Sequence, residues 1–142
     1  MRTRQTASLL ALALLMASGV GCGPSNPDQP DTLPVGGKVT YKGKPVPKGT
    51  ITFQSDGGRM ATGEIQEDGT YSLTTARPGD GAVAGHHRVS IVANEGDPTL
   101  MPSSPGYVRP KNLVPVKYNQ PEQSGIEANV TKDSKEIDFD LK

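Results

Sequence analysis

The sequence is short of the residue types on which several protein classes depend. Its single cysteine excludes an internal disulfide and any metal site built from several cysteines. Its 15 lysines and arginines equal its 15 aspartates and glutamates, and a protein without a basic surface is a poor candidate for binding nucleic acid. Glycine and proline are abundant, with 17 and 13 residues, and both interrupt long helices. The composition therefore argues against a helical bundle and against a nucleic-acid-binding protein.

Few residues are apolar, but those present alternate along the chain. Hydrophobic residues make up 33% of the sequence, and the aromatic ones are four tyrosines and two phenylalanines, with no tryptophan. From Val35 onward, apolar residues recur at every second position, which is the period of a β-strand. Such short strands with frequent turns predict an all-β fold, a single antiparallel β-sandwich of about seven strands. The predicted strands are centred on Val35–Tyr41, Ile51–Phe53, Ala61–Ile65, Tyr71–Leu73, Val89–Ile91, Ile126–Val130 and Ile137–Leu141.

Turn signals separate these runs. The segment Asp56-Gly57-Gly58 predicts a hairpin, and Asp68-Gly69 predicts a tight type I′ turn because this pair accepts a positive φ. Asp56, Asp68 and Asp80 each precede a glycine, and turn chemistry explains all three. A calcium site would need six to eight converging oxygens, and the sequence has no dense run of aspartates to supply them.

The first 21 residues have the layout of a secretory signal peptide. Arg2 and Arg4 give a positive start, Leu9–Ala17 is apolar, and small residues come just before Cys22. The apolar run is shorter than the roughly 20 residues that a membrane-spanning helix needs. We therefore interpret residues 1–21 as a signal peptide, which predicts an exported protein.

Cys22 stands where a bacterial lipoprotein signal places the cysteine that receives lipid. The usual signal has an aliphatic residue three places before the cysteine, and this chain has Gly19 there. A free thiol would be a liability in an oxidising compartment, which favours lipidation over ordinary secretion. We expect residues 22–34 to be a lipid-anchored, proline-rich tether that holds the protein to a membrane of the cell envelope.

Three segments carry a resemblance to a known family. They are Gly37–Phe53 with Gly-x-Val and Gly-x-Pro-Val, Glu67–Leu73 with Asp-Gly-x-Tyr-x-Leu, and Pro78–Ile91 with Pro-Gly ahead of an alternating strand. This pattern resembles the carboxypeptidase regulatory-like domains, which are transthyretin-like sandwiches also found as small bacterial lipoproteins. The resemblance implies an Ig-like Greek-key sandwich over residues 35–142. It identifies architecture more than function, since its motifs are turn glycines and core positions.

The sequence carries no motif of a known catalytic centre. It has no Gly-x-Ser-x-Gly elbow and no phosphate-cradling glycine motif ahead of a helix. Hydroxyisourate hydrolases share the transthyretin-like fold but end in a Tyr-Arg-Gly-Ser-type tail, whereas this chain ends in Asp138–Lys142. In metallocarboxypeptidases the module that this chain resembles is only an accessory domain and not the catalytic one. We therefore expect a protein that is not an enzyme and uses no cofactor.

The two histidines, His86 and His87, are adjacent. Neighbouring residues of a strand point to opposite faces, so the two imidazoles cannot readily share one metal ion. His87 is in register with Val89 and is expected to pack in the core. His86 is expected to be exposed near Arg88, whose charge disfavours a bound cation. We predict no metal site here, with metal ligation by a histidine as the alternative.

A long proline-rich loop, Asn94–Leu113, interrupts the strand pattern. Loops of this length in a compact domain are usually functional or disordered. Leu100, Met101, Tyr107 and Val108 are the candidate binding residues, because apolar side chains among prolines could contact a protein or a glycan. The alternative is that the loop covers the edge of the sandwich and blocks pairing with other chains.

The sequence thus predicts a non-enzymatic, lipid-anchored protein of the cell envelope with a structural, adhesion or protein-interaction role. Its partners would be a membrane, through lipid on Cys22, and an envelope protein or glycan. The alternative function is a small carbohydrate- or metal-binding module of an envelope complex.

Overall fold

The computed structural model describes residues 31–96 and 99–142. The predicted signal peptide, Cys22 and most of the predicted tether lie outside these residues. A 3₁₀ turn at Val116–Asn119 and the short helix α1 at Pro121–Ser124 are the helical elements of the described chain. Within that part of the chain, no helix is long and apolar enough to cross a membrane. The strands are β1 (Thr32–Leu33), β2 (Gly36–Tyr41), β3 (Lys44–Pro45), β4 (Gly49–Ser55), β5 (Met60–Ile65), β6 (Thr70–Ser72), β7 (Ala82–Val83), β8 (Gly85–Val92), β9 (Asn94–Glu95), β10 (Lys111–Asn112), β11 (Ile126–Val130) and β12 (Phe139–Leu141).

Two main sheets build an all-β sandwich, as the alternation of apolar residues predicts. The first has the order β11-β8-β4-β5, and all its pairs are antiparallel. In the second, β2 lies in the middle, with β12 on one side and with β6 and β3 on the other. The β12–β2 pair is parallel, unlike the other pairs. β11 and β12 belong to different sheets, so the chain between them crosses over and does not form a hairpin.

Alternate residues of the strands fill the space between the sheets. In β5 every second residue is buried and those between are exposed. Phe53, from the first sheet, is fully buried at the centre of the core. Its ring centroid lies 6.3 Å from that of Tyr71 and 5.8 Å from that of Phe139, both from the second sheet. These rings therefore join the two sheets directly.

The prediction of a type I′ turn at Asp68-Gly69 is wrong. Gly69 has a positive φ of 84°, but Asp68 does not. Gln66 accepts a hydrogen bond from the Gly69 N–H at 2.8 Å and donates its own N–H to the Thr70 carbonyl at 2.8 Å. This is a type I turn followed by a glycine bulge, which lets the chain twist away from β5.

A turn with two positive φ values occurs instead between β2 and β3. Lys42 and Gly43 have φ values of 51° and 77°, as a type I′ turn requires. They join Tyr41 to Lys44, which pair directly across the hairpin. The two-residue connection therefore brings β3 back directly alongside β2.

The first described strand, β1, lies just before Val35, where the sequence predicts that the domain starts. β1 pairs with β7, which places Leu33 opposite Ala82. Gly81 has a φ of 85°, and a side chain there would collide with the Leu33 carbonyl oxygen. Glycine therefore allows β1 to approach this closely, and Thr32 and Leu33, within the predicted tether, pair with a strand of the domain.

We expect Tyr71→Phe to lower the free energy of unfolding by about 1–2 kcal/mol, because it removes the donor from a partly buried carbonyl. The Tyr71 hydroxyl donates to the Ile137 carbonyl at 2.6 Å. Burial, reinforced by the Asp138 carboxylate, raises the pKa of Tyr71 and keeps the phenol protonated. Urea unfolding measures the change. Tyr107→Phe is the control, since the Tyr107 hydroxyl has no hydrogen-bond partner among the described residues; an equal loss in both variants would contradict the assignment.

Candidate functional site

The two histidines lie on opposite faces of the first sheet. His87 is fully buried, and its ring centroid is 5.7 Å from that of Phe53. Its Nε2 lies 2.8 Å from the Val83 carbonyl oxygen, which only accepts, so Nε2 carries the hydrogen. The Nδ1 atom is buried without a hydrogen-bond partner in the described chain. His87 therefore packs as a core residue, in the register that the sequence predicts.

His86 is partly exposed and lies between two carboxylates. Its Nδ1 is 3.2 Å from Asp56 Oδ1, and its Nε2 is 3.5 Å from Glu127 Oε2. The sequence suggests Arg88 as the charged neighbour, and it does not predict these two contacts. The hydrogen bond to Asp56 raises the pKa of His86 most, Glu127 adds to it, and desolvation opposes them.

This cluster has poor geometry for a metal ion. The two ring nitrogens of His86 face different carboxylates, so one ion could be reached by one nitrogen and one carboxylate only. Elsewhere in residues 31–96 and 99–142, no three metal-binding side chains come together either. The contacts of His86 with Asp56 and Glu127 instead connect β8 to the β4–β5 turn and to β11.

The carboxylates of the other two Asp-Gly pairs hold turns. Asp80 accepts hydrogen bonds from the backbone N–H groups of residues 75–77 at 2.7–3.0 Å. Desolvation pushes the pKa of Asp80 up, but these N–H groups outweigh it and the pKa lies below its ordinary value. Asp68 accepts the Thr70 hydroxyl and then its N–H, and both lower the pKa of Asp68. Turn chemistry thus accounts for both residues.

The 94–113 loop begins as an extension of β8. Its ends, β9 and β10, form a short antiparallel ribbon. Gly96 has a φ of 88°, and a side chain there would come within 2.6 Å of the Val108 carbonyl oxygen. The backbone on the two sides of the loop is therefore in close contact beyond the ribbon.

The candidate binding residues occupy two consecutive turns at the loop's tip. The Ser104 N–H donates to the Met101 carbonyl at 2.8 Å, and the Tyr107 N–H donates to the Ser104 carbonyl at 3.1 Å. Met101 and Val108 are 69% and 52% exposed. Leu100 and Tyr107 are half-buried. The loop therefore presents two apolar side chains to solvent and partly covers the other two.

Open grooves lie at both sheets. One of about 430 Å³ adjoins His86 and Arg59. Another of about 470 Å³ follows the seam between β5 and β6 and is lined mainly by polar side chains. A third of about 300 Å³, here called the basal groove, is lined by Leu33, Pro34, Val35, Gly36, Ser72, Lys132 and Lys135. The sequence does not predict any of the three.

The basal groove and the 94–113 loop lie at opposite ends of the sandwich. β8 begins at Gly85, which pairs with Val130, two residues before Lys132. It ends at Val92, and only Ala93 separates it from the loop. Its eight residues span about 25 Å at 3.3 Å per residue. The chain therefore enters the domain at one end and presents the loop at the other.

Comparison of the chain with family models, with curated proteins and with solved structures finds no match. The resemblance to carboxypeptidase regulatory-like domains therefore stays a prediction that rests on its motifs. Function has to be inferred from the side chains and their geometry.

We expect His86→Gln to destabilise the protein more at low pH than at high pH. Because the folded protein raises the pKa of His86, the charged imidazole is stabilised fully below the ordinary pKa of about 6.5. That contribution is lost as the pH rises through the higher pKa of the folded state. The difference in unfolding free energy between the wild type and the variant, measured from about pH 5 to pH 9, should fall with rising pH.

The matched control is the same substitution in an Asp56→Asn, Glu127→Gln background. There the fall with rising pH should disappear, because the carboxylates that raise the pKa of His86 are gone and only desolvation, which lowers it, remains. A difference that grows with rising pH in the wild-type background would contradict the assignment.

Proposed function

We propose that this protein is a lipid-anchored, non-enzymatic component of a bacterial cell envelope that binds another envelope protein through its 94–113 loop. The observation that carries the proposal is the exposure of Met101 and Val108 on that loop, at 69% and 52%. Apolar side chains that stay exposed to water on one long loop are typical of a surface that a partner covers. Methionine suits such a surface because its flexible thioether adapts to the partner's shape.

The position of the loop supports this role. Cys22 precedes the domain, which the chain enters beside the basal groove, whereas the loop leaves the far end of β8. A lipid on Cys22 would therefore hold the domain by the end that lies away from the loop. That arrangement is suited to capture of a protein partner.

The polar side chains in and near the core serve the fold. Ser124 donates its hydroxyl to the Val89 carbonyl, and Asp80 is held by three backbone N–H groups. His87 is buried beside Phe53 and lines none of the three grooves. Since each of these groups already has a structural role, we infer a binding protein and not an enzyme.

The alternative is a carbohydrate-binding module, which one observation favours. The groove between β5 and β6 is lined by the hydroxyl side chains of Thr62, Thr70, Ser72 and Thr74. Hydroxyl groups can bind sugar hydroxyls, but the one aromatic residue of that groove, Tyr71, is buried and offers no stacking platform. A glycan array with the full chain tests this reading. If a glycan binds saturably and Thr62→Val and Ser72→Ala abolish that binding, carbohydrate binding replaces the proposal of a protein partner.

We expect Cys22→Ser to move the protein from the membrane fraction to the soluble fraction of the cells that produce it. The substitution removes the thiol that lipid would modify, and more than one acyl chain is needed for stable anchoring. A high-salt wash before centrifugation removes protein that is held only electrostatically. Ser25→Ala is the matched control, because it changes a nearby residue and keeps the cysteine. Continued pelleting of Cys22→Ser would refute the anchor.

We expect a photoreactive cross-linker at Ser103 to capture one discrete envelope protein in intact cells. Met101→Glu with Val108→Glu should reduce this adduct at least tenfold, because the change places charges where apolar contact forms. Val116→Glu is the control, since Val116 is also exposed, at 62%, but lies outside the loop. An adduct that the loop variant leaves unchanged would exclude the loop as the contact surface.

A further inference from the structure

The basal groove combines an apolar floor with two positively charged side chains. Leu33, Pro34 and Val35 contribute the apolar part, and Lys132 and Lys135 stand at its margin. Both lysines are exposed, and neither has a carboxylate within 4.0 Å in the described part of the chain. Their charges are therefore available to a ligand.

The turn that carries the lysines is held firmly against the sandwich. The Ser134 N–H donates to the Thr131 carbonyl, and the two hydroxyls lie 2.8 Å apart. The Gly36 N–H donates to the Lys135 carbonyl at 3.2 Å, which ties the turn to the start of β2. The backbone at both lysines is thus positioned beside the groove before any ligand binds, which reduces the entropy lost on binding.

The groove also lies where the chain enters the domain. Its apolar floor begins at Leu33, and Asp31 is the first residue that the structure describes. Cys22 stands nine positions before Asp31, and nine residues span at most about 30 Å. A lipid on Cys22 would therefore keep the basal groove within about 30 Å of the membrane surface.

We propose that the basal groove docks on the anionic lipid headgroups of the membrane that holds the anchor. The Lys132 and Lys135 ammonium groups face the lipid phosphates, and the apolar floor covers the glycerol region. This inference rests on the proposed anchor for its place in the cell. Asp133 and Glu136 flank the lysines in the sequence and keep the attraction modest, so the contact orients an already anchored domain and does not recruit it.

The test uses the full chain with Cys22→Ser, so that lipid attached to the protein does not contribute. Sedimentation at low salt compares vesicles of phosphatidylcholine alone with vesicles that contain equal parts of phosphatidylglycerol. We expect binding to the anionic vesicles only, and loss of that binding at high salt. In the same background, Lys132→Glu with Lys135→Glu should weaken it at least about tenfold, since each lysine near an anionic surface contributes about fivefold.

The matched control is Lys44→Glu with Lys48→Glu, which makes the same change of net charge at the other end of β2. These lysines are also exposed and without an ion pair in the described chain. Lys132→Gln with Lys135→Gln supplies a milder second variant, and circular dichroism checks that each variant is folded. Equal binding to both vesicle types, no binding to either, or an equal loss in the control would overturn the proposal.

Separate measurements test the lipid anchor on Cys22 and the docking of the basal groove. The mass of the wild-type protein from cells shows whether Cys22 carries lipid, whereas the vesicle assay uses a chain that cannot carry it. An unmodified Cys22 together with selective vesicle binding would refute the anchor alone. A lipidated Cys22 together with no vesicle binding would refute the groove alone.

Discussion

The contact between Phe53 and the rings of the opposite sheet is the interaction on which the rest of the structure depends. With 33% hydrophobic residues and no tryptophan, the chain can build only a small core. It gathers Phe53, Tyr71 and Phe139 into one cluster, in which Tyr71 and Phe139 stack at 6.4 Å and Phe53 meets both from the other sheet. These rings are therefore a direct contact that holds the two sheets face to face.

Local patterns predict the strands well and their partners poorly. Alternating burial follows directly from the pleat of a strand, so β5 can be read from a few neighbouring residues. The parallel pair of Phe139 with Val39 joins distant parts of the chain, and no local pattern encodes it. The turn at Asp68-Gly69 is predictable as a turn but not as a particular turn type, since the same two residues suit more than one type. Its actual type depends on β6 leaving β5 to pair with β2, which is a property of the whole fold.

The candidate site is likewise predictable from the sequence only in part. Proline content and length identify the 94–113 loop, but the exposure of Met101 and the partial burial of Tyr107 depend on how the loop folds back on itself. The basal groove draws on three stretches that are distant in sequence, so no motif could indicate it. His86 meets Asp56 and Glu127 only because the β4–β5 turn and β11 flank the start of β8. Cys22, which lies outside the described residues, stays a prediction from the sequence.

The placement of entry point and loop at opposite ends has a mechanical consequence. A pull between an anchored N-terminus and a partner on the loop would run along β2 and β8, and each of these strands has hydrogen-bonded neighbours on both sides. The ladder bonds would then bear the load in shear, many at once, whereas a peeling force would break them one by one. Resistance to stretching is governed by the unfolding barrier and not by the equilibrium free energy. A sandwich with a small core can therefore be weak in denaturant and still be strong under tension along its strands.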